Sequence, residues 1–369
     1  LAQSIATRPQ SKNLIYPEAL MFKGIDLFSD TVTQPSRPMK EAMMNAELGD
    51  EQKGEDPTTR ELEEVAADML GQKAAMFFPS ATMANEVALR LLCEPGDELI
   101  AAESCHYFFA EAGGPAILAN VMARPIRTET GIFTGQDVRD TYRWSRGPHY
   151  PVTKLVSIEN TTNAGGGYAW KPEEIANVLT TAKELNLKTH LDGSRLFNAV
   201  VKTQTTAKQI ASPFDAVTLC LSKGLGCPVG AILAYPAEDF AKVRRLKQLF
   251  GGAMRQSGIL AAAGIYALKN NIARLAEDHE NAEFLAQQMH HEIAEIRVEN
   301  IKPSTNMVFF EWQGTNMTAT EFLDRCVEHG IRFSHFGQNR FRAVTHMHVT
   351  REDVKKVIET LKKVCQLKS

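Results

Sequence analysis

Between residues 74 and 234 the chain alternates short apolar runs with longer stretches whose apolar residues recur every three or four positions. The runs 74–78, 98–102, 155–158, 187–192, 214–221 and 229–234 are predicted strands. They lack the period-two alternation of a half-exposed strand, so both faces should be buried. Helices are predicted at 83–92 and at 172–185, the latter with Pro172 in its first turn. Such alternation of strand and helix predicts a mostly parallel sheet covered on both sides.

The flanks read differently. Residues 26–33 form a short extended piece closed by Pro35 and Pro38, followed by a helix at 39–45 and a polar loop at 50–57. Thr58-Thr59-Arg60-Glu61 has the form of a capping box, opening a helix to Leu70 with Leu62, Val65, Ala66 and Met69 on one face. Helical patterning returns at 237–249, breaks at Gly251-Gly252 and runs on from 256 to 295 as a link between domains. Strands at 306–312 and 341–345, with helices at 317–329 and 351–367 opened by Thr318 and Thr350, make a small α+β unit. The expected organisation is an arm and the start of the fold at 1–50, a large domain at 51–262 and a small domain at 263–369. With 369 residues the chain is too long for one small core.

Composition narrows the function. Apolar residues are 44% and charged residues 23%, ordinary for a globular chain. A net charge of −3 favours neither nucleic acid nor an acidic membrane surface. No apolar run approaches the roughly 20 residues of a membrane span. The six cysteines form no C-x-x-C pair, which argues against a zinc knuckle and fits reduced thiols of the cytoplasm. Residues 1–23 carry no signal-peptide apolar run and are read as an arm or part of a subunit contact. The chain opens on Leu1 rather than Met, which leaves room for residues before it.

Candidate chemistry gathers at strand ends. The run 214–221 delivers Lys223 into a glycine-rich turn, Ser222-Lys223-Gly224-Leu225-Gly226-Cys227-Pro228-Val229-Gly230. Backbone with so little side-chain bulk suits a large flat ligand, and a desolvated lysine amine there can form a Schiff base. A second strand ends in Asp192, within Asp192-Gly193-Ser194-Arg195-Leu196. Pyridoxal phosphate sites use this pair, a lysine on the aldehyde and an acid on the pyridinium nitrogen. Ser80-Ala81-Thr82 lies at a strand-to-helix turn whose free N–H groups suit a phosphate, although a serine there also serves as an ordinary N-cap. His106, just past a strand, offers a flat imidazole for stacking on a ring or for proton transfer. Arg195 and Arg342 are candidates for a carboxylate or for the cofactor's phenolic oxygen, set against surface salt bridges. His290-His291 and His346-Met347-His348 have no acid or cysteine at ligand spacing, so no metal is expected. Neither G-x-G-x-x-G nor a Walker A sequence occurs, which weakens nicotinamide and nucleoside-triphosphate readings.

The two strand-end segments, with Arg342-Ala343-Val344-Thr345-His346, resemble the L-threonine aldolase family, the beta-eliminating lyase group of pyridoxal phosphate enzymes. The resemblance runs from about Asp26 to His346. It implies an α/β chain of aminotransferase-like fold (PLP fold type I), with a mostly parallel large-domain sheet and a smaller C-terminal α+β domain. It implies that Lys223 and His106 are catalytic. Lys223, Asp192, Arg195, His106, Ser80, Ala81, Thr82 and Arg255 would hold the cofactor, and Ser29, Arg195 and Arg342 the substrate. It further implies a homo-oligomer, dimer or tetramer, with active sites shared between subunits through the loops at Lys53 and Gly251–Arg255. The chain departs from the family at Ala81 for glycine, Lys53 and Ala110 for tyrosine, and Thr162 for histidine. The expected reaction is retro-aldol Cα–Cβ cleavage of a β-hydroxy-α-amino acid, L-threonine or L-allo-threonine, to glycine and an aldehyde. A β-eliminating lyase or transaminase on another amino acid stays open, as does a non-catalytic protein, and His106 and an ordered water both stand as the general base.

Overall fold

The computed structural model describes residues 22–367. The expected N-terminal arm falls, through residue 21, outside the described residues. The strands are β1 (Ile25–Asp26), β2 (Ala74–Phe78), β3 (Glu98–Ala102), β4 (Met122–Ile126), β5 (Thr153–Glu159), β6 (Lys188–Gly193) and β7 (Ala216–Cys220), then β8 (Ala231–Tyr235), β9 (Ile296–Val298), β10 (Met307–Trp312), β11 (Ile331–Arg332), β12 (Ser334–His335) and β13 (Arg340–Val344).

Seven of these make one sheet in the order β2-β8-β7-β6-β5-β3-β4. β3 through β7 run parallel, whereas β8 is antiparallel to both β7 and β2. β3, β7 and β8 are buried along their whole length, as their unbroken apolar runs require. Helices Pro57–Leu70, Pro172–Glu184, Leu196–Thr203 and Gly258–Asn270 cover one face, through a core that includes Leu62, Val178, Leu196 and Ala261. Helices Ala81–Leu92 and Phe240–Leu249 cover the other, through Val87, Leu91, Val243 and Leu246. A separate core lies over the antiparallel sheet β12-β13-β10-β9, where Phe310, Trp312, Phe322 and Phe341 meet Leu285, Val357 and Leu361.

Several local expectations change. The helix at 57–70 is capped by Asp56, whose carboxylate accepts the Thr59 N–H at 2.8 Å. Thr58 is not the cap: Pro57 occupies the first helical position and the Thr58 hydroxyl bonds the Glu47 carbonyl. The span 256–295 is two helices, Gly258–Asn270 and Leu275–Glu292, because the Asn271 side chain turns aside to the Leu225 carbonyl at 2.8 Å. Strand β4 is the sheet's edge and carries Pro125, which hides it from a strand pattern but is tolerated where one side is unpaired.

Residues 25–33 are more than an extended piece. β1 pairs in parallel with β11, and the Val344 N–H bonds the Leu27 carbonyl at 2.9 Å. A 3₁₀ turn at Asp30–Val32 follows, and the Thr33 hydroxyl donates to the Lys223 carbonyl at 2.8 Å. The segment straps the small sheet to the loop after β7.

Candidate active site

Parallel strands β5, β6 and β7 end side by side, so the residues just beyond them share one crevice. β6 ends on Asp192-Gly193, and Asp192 is 1% exposed. One carboxylate oxygen accepts the Ser194 N–H and the other the Asn85 side-chain N–H, each at 3.1 Å. Burial alone would raise this carboxyl, but the charges of Lys223 and His106 and the Ser194 bond hold it below the usual range. Asp192 is therefore an anion facing Lys223.

Lys223 is half-buried in the loop after β7. Its carbonyl accepts both the Thr33 hydroxyl and the Gly226 N–H at 2.8 Å. Gly226 has φ +78°, a conformation that favours glycine, and this tight turn aims the lysine. His106 opens the short helix His106–Phe109. Its Nδ1 lies 2.7 Å from Glu111 Oε1, which leaves Nε2 for chemistry. Burial lowers the imidazole's affinity for a proton, yet the Glu111 bond and the Asp192 charge raise it on balance. The His106 N–H reaches Glu159 at 3.2 Å. Burial, reinforced by the Asp192 charge, pushes the Glu159 carboxyl up to about 7.

Two arginines meet near this crevice. Arg195 is buried and forks onto Asp30, at 2.7 Å through Nε and 2.6 Å through Nη2. Its fork is thus closed on a carboxylate of the protein. Arg342, on β13, donates to Asn163 at 2.7 Å and weakly to the Phe28 carbonyl at 3.4 Å, and stacks on Phe336. Its Nε is buried with no partner. Burial, with repulsion from Arg195, brings Arg342 down to about 10. A buried guanidinium with an unmet donor and a cation beside it calls for an anion.

The structure therefore brings Lys223, Asp192 and His106 within each other's electrostatic reach, and Arg342 joins His106 through Asn163 and Glu159, whereas Arg195 is paired with Asp30. Ser80 caps helix Ala81–Leu92 by accepting the Met83 N–H at 3.2 Å. The first-turn N–H groups of Ala81 and Thr82 begin the helix whose Asn85 touches Asp192, about 4.5 Å further along the axis. Ser29 caps the 3₁₀ turn and reaches Asp30 at 3.5 Å. Arg255 stands apart from this group: it is 63% exposed and paired with Asp50 at 3.1 Å. Thr162 is buried and bonds Tyr168, and Ala110 ends the His106 helix. Sequence patterns did not single out Asp30, Asn85 or Glu111. Glu159 and Asn163 carried a signal, as polar residues at a strand end before Gly165-Gly166-Gly167.

The family model described as beta-eliminating lyase matches residues 26–313. The chain belongs to the beta-eliminating lyase family. Within that family's relatives, it is 42% identical over 336 residues to the low specificity L-threonine aldolase of Escherichia coli K12, covering 90% of this chain and 97% of that one. It is 36% identical over 339 residues to low-specificity L-threonine aldolase 1 of Arabidopsis thaliana, covering 91% and 94%. Among solved structures, the Leishmania major threonine aldolase superposes with TM-score 0.77 at 21% identity, over 92% of this chain and 99% of that. A Thermus thermophilus aspartate aminotransferase superposes with TM-score 0.70 at 13% identity, over 93% and 92%. The last two establish for this beta-eliminating lyase family member the aminotransferase-like fold. Among the described residues no cluster of side chains suits a metal ion, and no helix is long and apolar enough to cross a membrane.

Proposed function

We propose that the chain is a pyridoxal phosphate-dependent aldolase that cleaves L-threonine or L-allo-threonine between Cα and Cβ to glycine and acetaldehyde. The observation that carries this reading is the ionised, buried Asp192 facing Lys223 at adjacent strand ends. The residues fit the cofactor: an anion for the ring nitrogen, an amine for the aldehyde, and helix N–H groups for the phosphate. When bound, pyridoxal phosphate supplies an aldehyde for the lysine and a ring that accepts electrons from a bond broken at Cα.

The protein's own residues do the rest. Asp192 keeps a proton at the ring nitrogen. Arg342, through its unmet Nε, takes the substrate carboxylate and sets which bond at Cα stands across the ring. Asn163 fixes that guanidinium. His106, with Nδ1 engaged, presents Nε2 to the β-hydroxyl and takes its proton as the aldehyde leaves. Arg195 serves through Asp30, holding the floor beneath Arg342. Six unpaired, buried cysteines support a cytoplasmic setting. The exposed Arg255 and the loop at Lys53 support an assembly of two or four chains around shared sites, to be read by sedimentation.

The test is a spectrum of purified protein with pyridoxal phosphate, then aldehyde detection with L-threonine and L-allo-threonine. A visible band that borohydride removes, with aldehyde release abolished in Lys223→Ala, is expected. Keto-acid formation without aldehyde would make it a β-eliminating lyase if ammonia is released, or a transaminase if it is not, and a colourless protein would end the reading.

A further inference from the structure

His106 is backed by a polar array that the sequence does not bring together. Glu111 Oε1 accepts from Asn85 Nδ2 at 2.8 Å as well as meeting His106 Nδ1 at 2.7 Å. The same Asn85 nitrogen reaches Asp192 Oδ2 at 3.1 Å. One amide thus ties the acid behind the imidazole to the acid at the end of β6. Beyond it lies Glu86, next to Asn85 on the helix Ala81–Leu92 and fully buried. Both Glu86 oxygens and Glu111 Oε2 are buried without a hydrogen-bond partner. Glu86 is packed in place: a Cβ on Gly114 would come within 2.2 Å of its Oε1.

We propose that Glu111 is the positioning residue of His106, fixing the ring so that Nε2 faces the amino acid, and that Glu86 is a neutral acid held behind it as a second, pH-dependent charge. What His106 does to a substrate rests on the aldolase reading; the array itself does not. Burial, then the Glu111 charge, push the Glu86 carboxyl up to about 8, because two buried acids side by side resist ionising together. The other groups facing His106 are Glu159 at its backbone N–H, Asp192, Lys223 and the edge of Phe109. Burial, with the Asp192 charge, raises the Glu111 carboxyl against the pull of its His106 and Asn85 bonds. Below the Glu86 midpoint it is Glu111, where ionised, that favours the protonated imidazole. Above it, a second negative charge strengthens that preference and leaves less neutral imidazole to accept a proton.

The experiment follows the His106 ring by nitrogen-15 NMR across pH in the cofactor-loaded protein with labelled histidine, the signal assigned by its loss in His106→Asn. In the unsubstituted protein the midpoint should lie above that of a free histidine, with a second inflection near pH 8. Glu111→Gln keeps an acceptor for Nδ1 but removes the charge. It should move the midpoint, and the acid limb of kcat/KM, down by about one pH unit. Glu111→Ala loses the acceptor too and should lower kcat at least tenfold at every pH, with Gln restoring most of it. Glu86→Gln should erase the inflection near pH 8 and leave the acid midpoint in place. A His106 midpoint at or below the free value, a midpoint unmoved in Glu111→Gln, or an inflection that survives Glu86→Gln would overturn the proposal. The first of these needs no substitution, so it stands even if a variant does not fold. Failure to release aldehyde while the titrations behave as stated would sink the aldolase reading and keep this one.

Discussion

Arg342 has one donor to spare in a place where water cannot reach it. Replacing it with alanine should raise KM for the amino acid and cut kcat/KM on the order of 100-fold, since a bidentate, charge-assisted contact is lost. Lysine should restore little, because a point charge cannot reproduce the fork. Asp30 is the complementary case. Burial would raise its carboxyl, but the charge and bonds of Arg195 hold it well below the usual range. Asp30→Asn would leave a buried guanidinium unpaired and should cost about 3–5 kcal/mol in urea unfolding. Because the folded-state value is depressed, the stabilisation is complete above pH ~4 and lost as pH falls below it. Lys223 was legible in sequence because it follows the largely apolar run 214–221 into a glycine-rich turn, and Asp192 because it opens the Asp192-Gly193-Ser194-Arg195 segment at a strand end. Asp30 was not, since its partner lies 165 positions away and nothing local marks the pairing. Arg195 was noticed, but its occupied fork can be seen only in three dimensions.

At the scale of elements, helix Gly258–Asn270 carries a run of small residues, Ala261-Ala262-Ala263-Gly264, and the structure gives the reason. It crosses helix Pro57–Leu70 so closely that a Cβ on Gly264 would meet both Leu62 methyls at 2.9 Å. Gly264→Val should cost about 1–3 kcal/mol by overpacking, measured as a shift in the urea midpoint with an unchanged slope. Ser80→Ala removes a cap and should cost about 1 kcal/mol. It should also speed release of pyridoxal phosphate, seen as loss of the visible band on dilution. The parallel strands were readable because burial on both faces leaves an unbroken apolar signature. The caps Thr318 and Thr350 were readable because each serves a helix that starts where the pattern begins. Thr58 misled because the Asp56-Pro57 pair beside it satisfies the same helix end two residues earlier. The break at 271–274 was invisible because a side chain's distant hydrogen bond causes it.

The large sheet, with a core on each face, and the small sheet, with a core of its own, are joined by few crossings of the chain. Leu275 packs with the large sheet, whereas Leu285 and Met289 of the same helix pack with the small one. The sequence changes pattern after residue 295, where helical patterning gives way to short strands. The N-terminal contribution was not foreseeable, because residues 25–33 are too short and too mixed to announce which half they serve. They serve both, and Phe28 stands at the junction. Its carbonyl receives the Ser334 hydroxyl and, weakly, Arg342, while its ring is 43% exposed. A ligand carboxylate that takes hold of Arg342 must compete with that long bond. Loss of that bond should let the Phe28 backbone, and with it the exposed ring, shift when the crevice fills. Phe28→Trp should make this visible as an emission change that saturates with L-threonine and is absent with 1-amino-2-propanol, the same skeleton without its carboxylate. The stretch that fastens the two halves would then double as a built-in gauge of whether an amino acid is seated.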